Sequence, residues 1–139
     1  MGDSACYAHL LDEDGRMPEP VRVRTARVYD VTDRDGEARV LVDRLWPRGV
    51  RKETLKLDRW AKDVAPSNEL RRWSHAHRGR WDEFVARYRR ELADRREEID
   101  ALAAEARRRP LVLLYAGRDR EHNQAVVLKE VVEEAAGHC

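Results

Sequence analysis

Val40-Leu41-Val42-Asp43-Arg44-Leu45-Trp46-Pro47-Arg48-Gly49 is the stretch that decides how this chain is read. Its continuous apolar start reads as a strand buried on both faces. An acid, two arginines, a tryptophan, a proline and a glycine follow at once. The strand therefore runs out of the core into a polar, aromatic turn. A second apolar run, Leu111-Val112-Leu113-Leu114-Tyr115, lies between Pro110 and Gly117 and reads as another buried strand. Helical patterns separate the two, which points to an α/β arrangement. The right-handed crossover rule makes these strands parallel and puts their carboxyl ends on one edge of the sheet.

Outward from these runs, Val21 to Asp30 reads as a further strand, with Val23, Thr25 and Tyr29 alternating with Arg22, Arg24 and Val28. Asp33-Arg34-Asp35-Gly36 follows, and Asp-Gly between two strand-like runs favours a hairpin. The second strand is expected over Arg39–Leu45. From Glu53 to Val64, the spacing of Leu57, Trp60, Ala61 and Val64 predicts a helix. Pro66 stops it, and Ser67 is the expected N-cap of a short helix from Glu69 to Trp73. Ser74 to Gly79 reads as a break. One long charged helix is expected from Arg80 to Arg108, its apolar stripe interrupted at Arg95 and Arg96, where it is expected to bend or lie exposed. A last helix is expected from Arg120 to Ala136, capped by Asp119 and closed by Gly137. The sum is a single small α/β domain over residues 21–137, with a short mixed or parallel sheet flanked by helices. Residues 1–20 have no sustained period and read as a flexible N-terminal extension.

Composition narrows the classes. The chain has 139 residues, enough for one domain with a proper core, and 28 basic side chains against 27 acidic ones. A formal net charge of +1 gives no global pull toward nucleic acid or membrane, so any anion site must come from local clustering. No apolar run approaches the roughly 20 residues of a membrane span, and no hydrophobic signal core follows Met1. A cytoplasmic protein with no membrane partner is the expectation. Cys6 and Cys139 are the only cysteines, and no CxxC pair suggests zinc. No P-loop or dinucleotide fingerprint is present, and no cofactor is expected.

With these residues in view, the chain resembles the YeaO-like family of uncharacterised bacterial proteins, a domain of unknown function in DUF family 488. The resemblance runs from about Val23 to Val132. It rests on Arg27-Val28-Tyr29-Asp30, on Asp35-Gly36, on Val40 through Gly49, and on Ala65-Pro66-Ser67 with Glu69-Leu70-Arg71 and Trp73. Trp81 with Phe84, Tyr88, Glu91 and Leu92 also matches, as do Leu113-Leu114-Tyr115-Ala116 and His122-Asn123 with Ala125-Val126-Val127-Leu128-Lys129. The resemblance implies no established activity. The family usually follows its tryptophan with an aromatic, a glycine and a histidine, then Asp-Pro; here the stretch is Ser74-His75-Ala76-His77-Arg78. Longer relatives place a cysteine-containing loop where this chain has Tyr115 to His122, so no cysteine nucleophile is available here.

Ligands of open α/β sheets sit outside the carboxyl ends of the strands, so the candidate residues are those after the two apolar runs. Arg44 and Arg48 can fork onto phosphate, sulfate or carboxylate; Trp46 can stack on a planar group. Against this stands a structural reading in which Asp43 and Arg44 pair inside the protein and Trp46-Pro47 plugs the core. Asp119, His122 and Asn123 follow the last strand, where a helix N-terminus suits an anion and His122 can move a proton near neutral pH. In the structural reading, Asp119 itself caps the helix. Lys52, Lys62, Asp63 and Ser67 form a weaker third group. His75 and His77 suggest a metal pair, but no third ligand is evident and no metal site is assigned.

Two readings stay open. In one, the protein binds a small anionic, possibly phosphorylated, ligand and performs hydrolysis or group transfer, with Asp43 or His122 catalytic and Arg44, Trp46, Arg48, Asn123 and Asp119 binding. In the other, it is a non-enzymatic module, either a nucleic-acid-binding regulator or a protein adaptor. Oligomeric state is not fixed by the sequence.

Overall fold

The computed structural model describes residues 21–32 and 36–137. The extension over residues 1–20, both cysteines and most of the Asp33–Gly36 turn lie outside the described residues. The strands are β1 (Val23–Arg27), β2 (Ala38–Leu41), β3 (Arg59–Trp60) and β4 (Leu111–Tyr115), in the spatial order β1-β4-β2-β3. Every neighbouring pair is parallel, with Val23 to Arg27 beside Leu111 to Tyr115 and Ala38 to Leu41 beside Leu111 to Leu114. All carboxyl ends therefore share one edge.

The hairpin expected between the first two strands does not form, because β4 lies between them. Composition explains the choice. Five consecutive apolar residues need cover on both faces and a partner on both sides, and the centre of the sheet supplies both. β4 is buried throughout. The arginine-bearing β1 is only partly covered and suits an edge.

The helix expected from Glu53 to Val64 is instead three pieces: α1 (Lys52–Leu55), the strand β3, and a 3-10 turn over Lys62–Val64. Lys56, at φ +51°, ends α1. Leu57 and Trp60 pack on one face of the sheet and Val64 on the other. One continuous helix would hold all three on one side, so burial on both faces overrides the helical spacing.

Ser67 caps α2 (Asn68–Ala76) as expected: its hydroxyl accepts the Leu70 N–H at 3.1 Å. The Glu91 carboxylate in turn accepts the Ser67 N–H at 2.9 Å and its hydroxyl. The expected long helix is two, α3 (Trp81–Ala93) and α4 (Arg96–Arg108), broken at Asp94-Arg95 where the apolar stripe lapses. The break lets α4 pack along α5 (Gln124–Gly137) while α3 meets both α2 and α5.

The sheet has two unlike faces. On one, α2 to α5 cover Val23, Val40, Val42, Leu111, Leu113 and Tyr115 with Leu70, Phe84, Tyr88, Ile99, Leu102 and Leu128. The Tyr88 hydroxyl, fully buried there, donates to the Val64 carbonyl. The other face is thinner: Leu41, Val112 and Leu114 are covered by Val28, Leu55 and the partly buried Trp46, Val50, Leu57 and Trp60.

Candidate functional site

After β4 the chain turns into α5, which packs back over β1 and β4. After β2 it moves the other way, to β3. The carboxyl ends of β4 and β2 therefore flank a switch point, the usual place for a ligand crevice in an open α/β sheet. Asp43 stands there. Its Oδ2 accepts the Ala116 N–H, from the end of β4, at 2.9 Å. Its Oδ1 accepts from Nε2 of Gln124, the first residue of α5. Its own carbonyl accepts the Trp60 indole N–H at 2.8 Å. One side chain and its backbone thus tie together the ends of β2, β3 and β4 and the start of α5.

Burial pushes the Asp43 carboxyl up to about 6, against the smaller opposing pulls of the Ala116 N–H, the Arg71 charge and Gln124. A carboxylate held in this way near neutral pH is a common mark of a working site.

The other residues expected here divide sharply. Arg44 turns to backbone carbonyls and does not pair with Asp43. Its Nε donates to the Pro66 carbonyl and its second guanidinium nitrogen to the Ala65 carbonyl, both at 3.2 Å, and so it anchors the entry to α2. Trp46 donates to the Val50 carbonyl at 2.7 Å and meets Trp60 edge-on, with ring centroids 5.3 Å apart. Both side chains hold backbone carbonyls of neighbouring segments. Arg48 is different. Its carbonyl accepts the Tyr29 hydroxyl at 2.9 Å, which ties the turn after β2 to the end of β1. Its guanidinium is exposed and has no partner among the described residues. Gly49, at φ +75°, takes the left-handed conformation that this tight turn needs.

The loop after β4 is self-contained. The Asp119 carboxylate accepts the N–H groups of His122 and Glu121, both at 2.9 Å, and these hold its pKa down. It caps this turn and not the helix. The helix cap is the buried Asn123, whose Oδ1 accepts the Val126 N–H at 3.1 Å while its Nδ2 donates to the Asp119 carbonyl at 2.9 Å. That is why α5 starts four residues later than the spacing suggests. The exposed His122 ring lies 4.8 Å from the Trp81 ring, and its Nδ1 is 3.6 Å from Asp119 Oδ2.

The weaker third group scatters. Lys62 sits over the Trp60 ring at 3.9 Å, in a cleft of about 340 Å³ between β3 and α4. Ser67 is the α2 cap, and Lys52 and Asp63 are exposed. His77 stacks on Trp73, while His75 is exposed. No group of three or more His, Cys, Asp or Glu able to hold a metal occurs among the described residues, and no helix there is long and apolar enough to cross a membrane.

Several residues at the edge escape a reading by sequence. Gln124 and Arg71 reach Asp43 from helices distant in the chain. Arg118, just past Gly117, is exposed and unpartnered among the described residues; only its position after a buried strand hints at it. Tyr29 and Leu45, 49% and 62% exposed, are the two exposed large hydrophobics among the described residues, and both lie on the carboxyl edge. The expected hairpin hid the place of Tyr29 there.

The model of the family described as "Inactive DUF488-N3 subclade" matches residues 22–138. Among curated proteins, the chain is 40% identical to the uncharacterised protein YeaO of Escherichia coli K12 over 110 residues, covering 79% of this chain and 96% of that one. It is 54% identical over 78 residues to the uncharacterised protein Rv3073c of Mycobacterium tuberculosis and to its counterpart Mb3100c of Mycobacterium bovis. Those matches cover 56% of this chain and 66% of the mycobacterial proteins. No solved structure matches the chain.

Proposed function

Given that the chain belongs to the inactive DUF488-N3 subclade, among YeaO-like bacterial proteins of unknown function, we propose that it binds a small anionic ligand at the carboxyl edge of its sheet and catalyses no reaction there. The observation that carries this reading is the composition of the rim around the switch point. Arg48 and Arg118 are exposed with no partner among the described residues, and the exposed Tyr29 and Leu45 also lie on this edge. Free guanidiniums take phosphate, sulfate or carboxylate by forked hydrogen bonds. Exposed apolar side chains on the rim of a crevice suit the carbon part of such a ligand.

The absence of chemistry follows from how the other candidates are used. A general acid or base must reach the proton it moves. Asp43 is turned onto Ala116 and Gln124, Asp119 onto its own turn, and Asn123 onto the start of α5. That leaves His122 alone, with no nucleophile beside it. The family description points the same way.

Thermal unfolding with added sulfate tests the reading, because a ligand that binds only the folded state raises Tm by mass action. The wild type should be stabilised in a saturable way. Arg48→Ala with Arg118→Ala should melt at the same temperature as wild type without sulfate and lose the sulfate response. An unchanged response in that variant would remove the site from this edge.

A further inference from the structure

Away from the sheet edge, the corner where α2 meets α3 carries its own charge pattern. From Asn68 to Arg90 the sequence holds seven arginines and two histidines against three acids. The near-zero charge of the whole chain averages this away.

Side-chain contacts tie the corner together. Trp73 carries the His77 ring stacked at 4.7 Å and the Arg87 guanidinium at 4.4 Å. His77 Nδ1 lies 2.8 Å from the Trp73 carbonyl. Glu83 takes both Arg80 and Arg87, two cations on one acid. Among the described residues, Arg72 reaches the Asn68 carbonyl, at 3.4 Å. Arg78 and Arg90 are exposed and have no partner among the described residues. Arg87 and Arg90, three apart on α3, share a helix face, as do Arg72 and His75 on α2.

We propose that this α2–α3 corner is a nucleic-acid docking surface that engages the phosphodiester backbone through Arg72, Arg78, Arg80, Arg87 and Arg90. The proposal goes beyond the small-anion site and does not depend on it. Charge complementarity selects the partner. Protein partners bury an apolar centre inside a polar rim, and the exposed large hydrophobics among the described residues lie elsewhere, at Tyr29 and Leu45. Nucleic-acid interfaces are polar and strongly positive. Trp73 is already packed by His77 and Arg87, and Trp81 by Phe84 and His122. The corner therefore offers cations and no free aromatic platform. Binding is then to phosphates, without base preference, and single strands and duplexes are both accepted.

The test is fluorescence anisotropy of a labelled mixed-sequence 20-nucleotide strand and its duplex, titrated with the full chain. Wild type should bind both, and affinity should fall at least tenfold between 50 and 200 mM KCl, as counterion release requires. Arg78→Glu with Arg90→Glu should weaken binding by at least tenfold. Arg95→Glu with Arg108→Glu, the same charge change at exposed positions at the two ends of α4, should weaken it less than threefold. Melting curves check folding, and Arg78→Gln with Arg90→Gln provides a milder pair that should lose affinity by a smaller factor. Equal loss in the α4 pair would mean unspecific attraction and overturn the proposal. So would failure of wild type to bind either oligonucleotide at 50 mM KCl, or equally tight binding of poly-glutamate. None of these outcomes alters the sulfate response at Arg48 and Arg118, so the two readings fail separately.

Discussion

At the amino edge of the sheet, partly buried charges pair with one another; at the carboxyl edge, exposed pairs stand beside arginines that have no partner among the described residues. Arg24, in β1, forks onto Glu37, which leads into β2, with bonds of 2.6 and 2.8 Å, and the Glu37 side chain is only 5% exposed. Arg109, before β4, meets Asp58, before β3, and Glu105 of α4. The Asp58 carboxylate also accepts the Arg39 N–H at 2.8 Å, and the Arg39 side chain donates to the Leu55 carbonyl at 2.8 Å. The other edge has an exposed network of its own, Asp30 with Arg120 at 2.7 Å and with Arg27 at 3.5 Å, but there Arg48 and Arg118 face solvent with no partner among the described residues, and the half-buried Asp43 is held up near pH 6. The amino edge thus holds a nearly solvent-free ion pair, while the carboxyl edge combines exposed ion pairs with a carboxyl that burial keeps above its ordinary pKa.

The largest effect expected from this contrast is at the amino edge. Arg24→Ala removes the two-bond fork from a Glu37 side chain that is only 5% exposed and should destabilise by about 3 kcal/mol in urea unfolding. A loss below about 1 kcal/mol would mean that the fork contributes no more than a surface pair.

Asp43→Asn should do the opposite. The folded-state pKa of Asp43 is raised to about 6 from an ordinary 3.8. The neutral form is favoured by folding, so its stability contribution is complete below about 3.8 and is lost as pH rises through 6. The variant should match wild type near pH 4 and exceed it by about 2–3 kcal/mol at pH 8. A gain of the same size at both pH values would dissociate it from ionisation.

Arg44→Ala sharpens the division within the carboxyl edge. It removes two bonds to the Ala65 and Pro66 carbonyls and should cost about 1–2 kcal/mol, yet leave the rise of Tm with sulfate intact. Loss of that rise would return Arg44 to the ligand site.

The smallest effect on stability should come from Arg48→Ala and Arg118→Ala. These exposed side chains should change unfolding by less than about 0.5 kcal/mol each. Their consequence should appear only as a lost response to the anion. A large destabilisation from either would show that the carboxyl edge, too, is spent on the fold.

Much of this was legible in the residues. Val40-Leu41 and Leu111 to Tyr115 lie in buried parallel strands as their apolar runs suggest, because a strand segment without polar residues has only the sheet interior to occupy, although β2 spans Ala38–Leu41 and ends before the expected Leu45. Ser67 caps α2 because its hydroxyl acts within four residues of itself. Three readings failed where a local pattern met a distant demand. The Asp-Gly signal could not know that β4, more than seventy residues on, would take the place between β1 and β2. The spacing of Leu57, Trp60 and Val64 is helical, but the sheet needed cover on both faces. Arg44 and Arg48 look alike in sequence. Only the carbonyls of Ala65 and Pro66, brought alongside by the entry to α2, separate the anchor from the free cation.

By itself the sequence determined the α/β class, the two central strands, the α2 cap and the stretch after β2 as the place where charge leaves the core. These depend on hydrophobic period, on Pro and Gly, and on hydrogen bonds between near neighbours. Tertiary structure alone decided strand order, the pairing of Asp43 with Ala116 and Gln124, and which arginines remain free. Those outcomes depend on groups far apart in the chain, and no local pattern specifies which distant donor will arrive beside a given carboxylate.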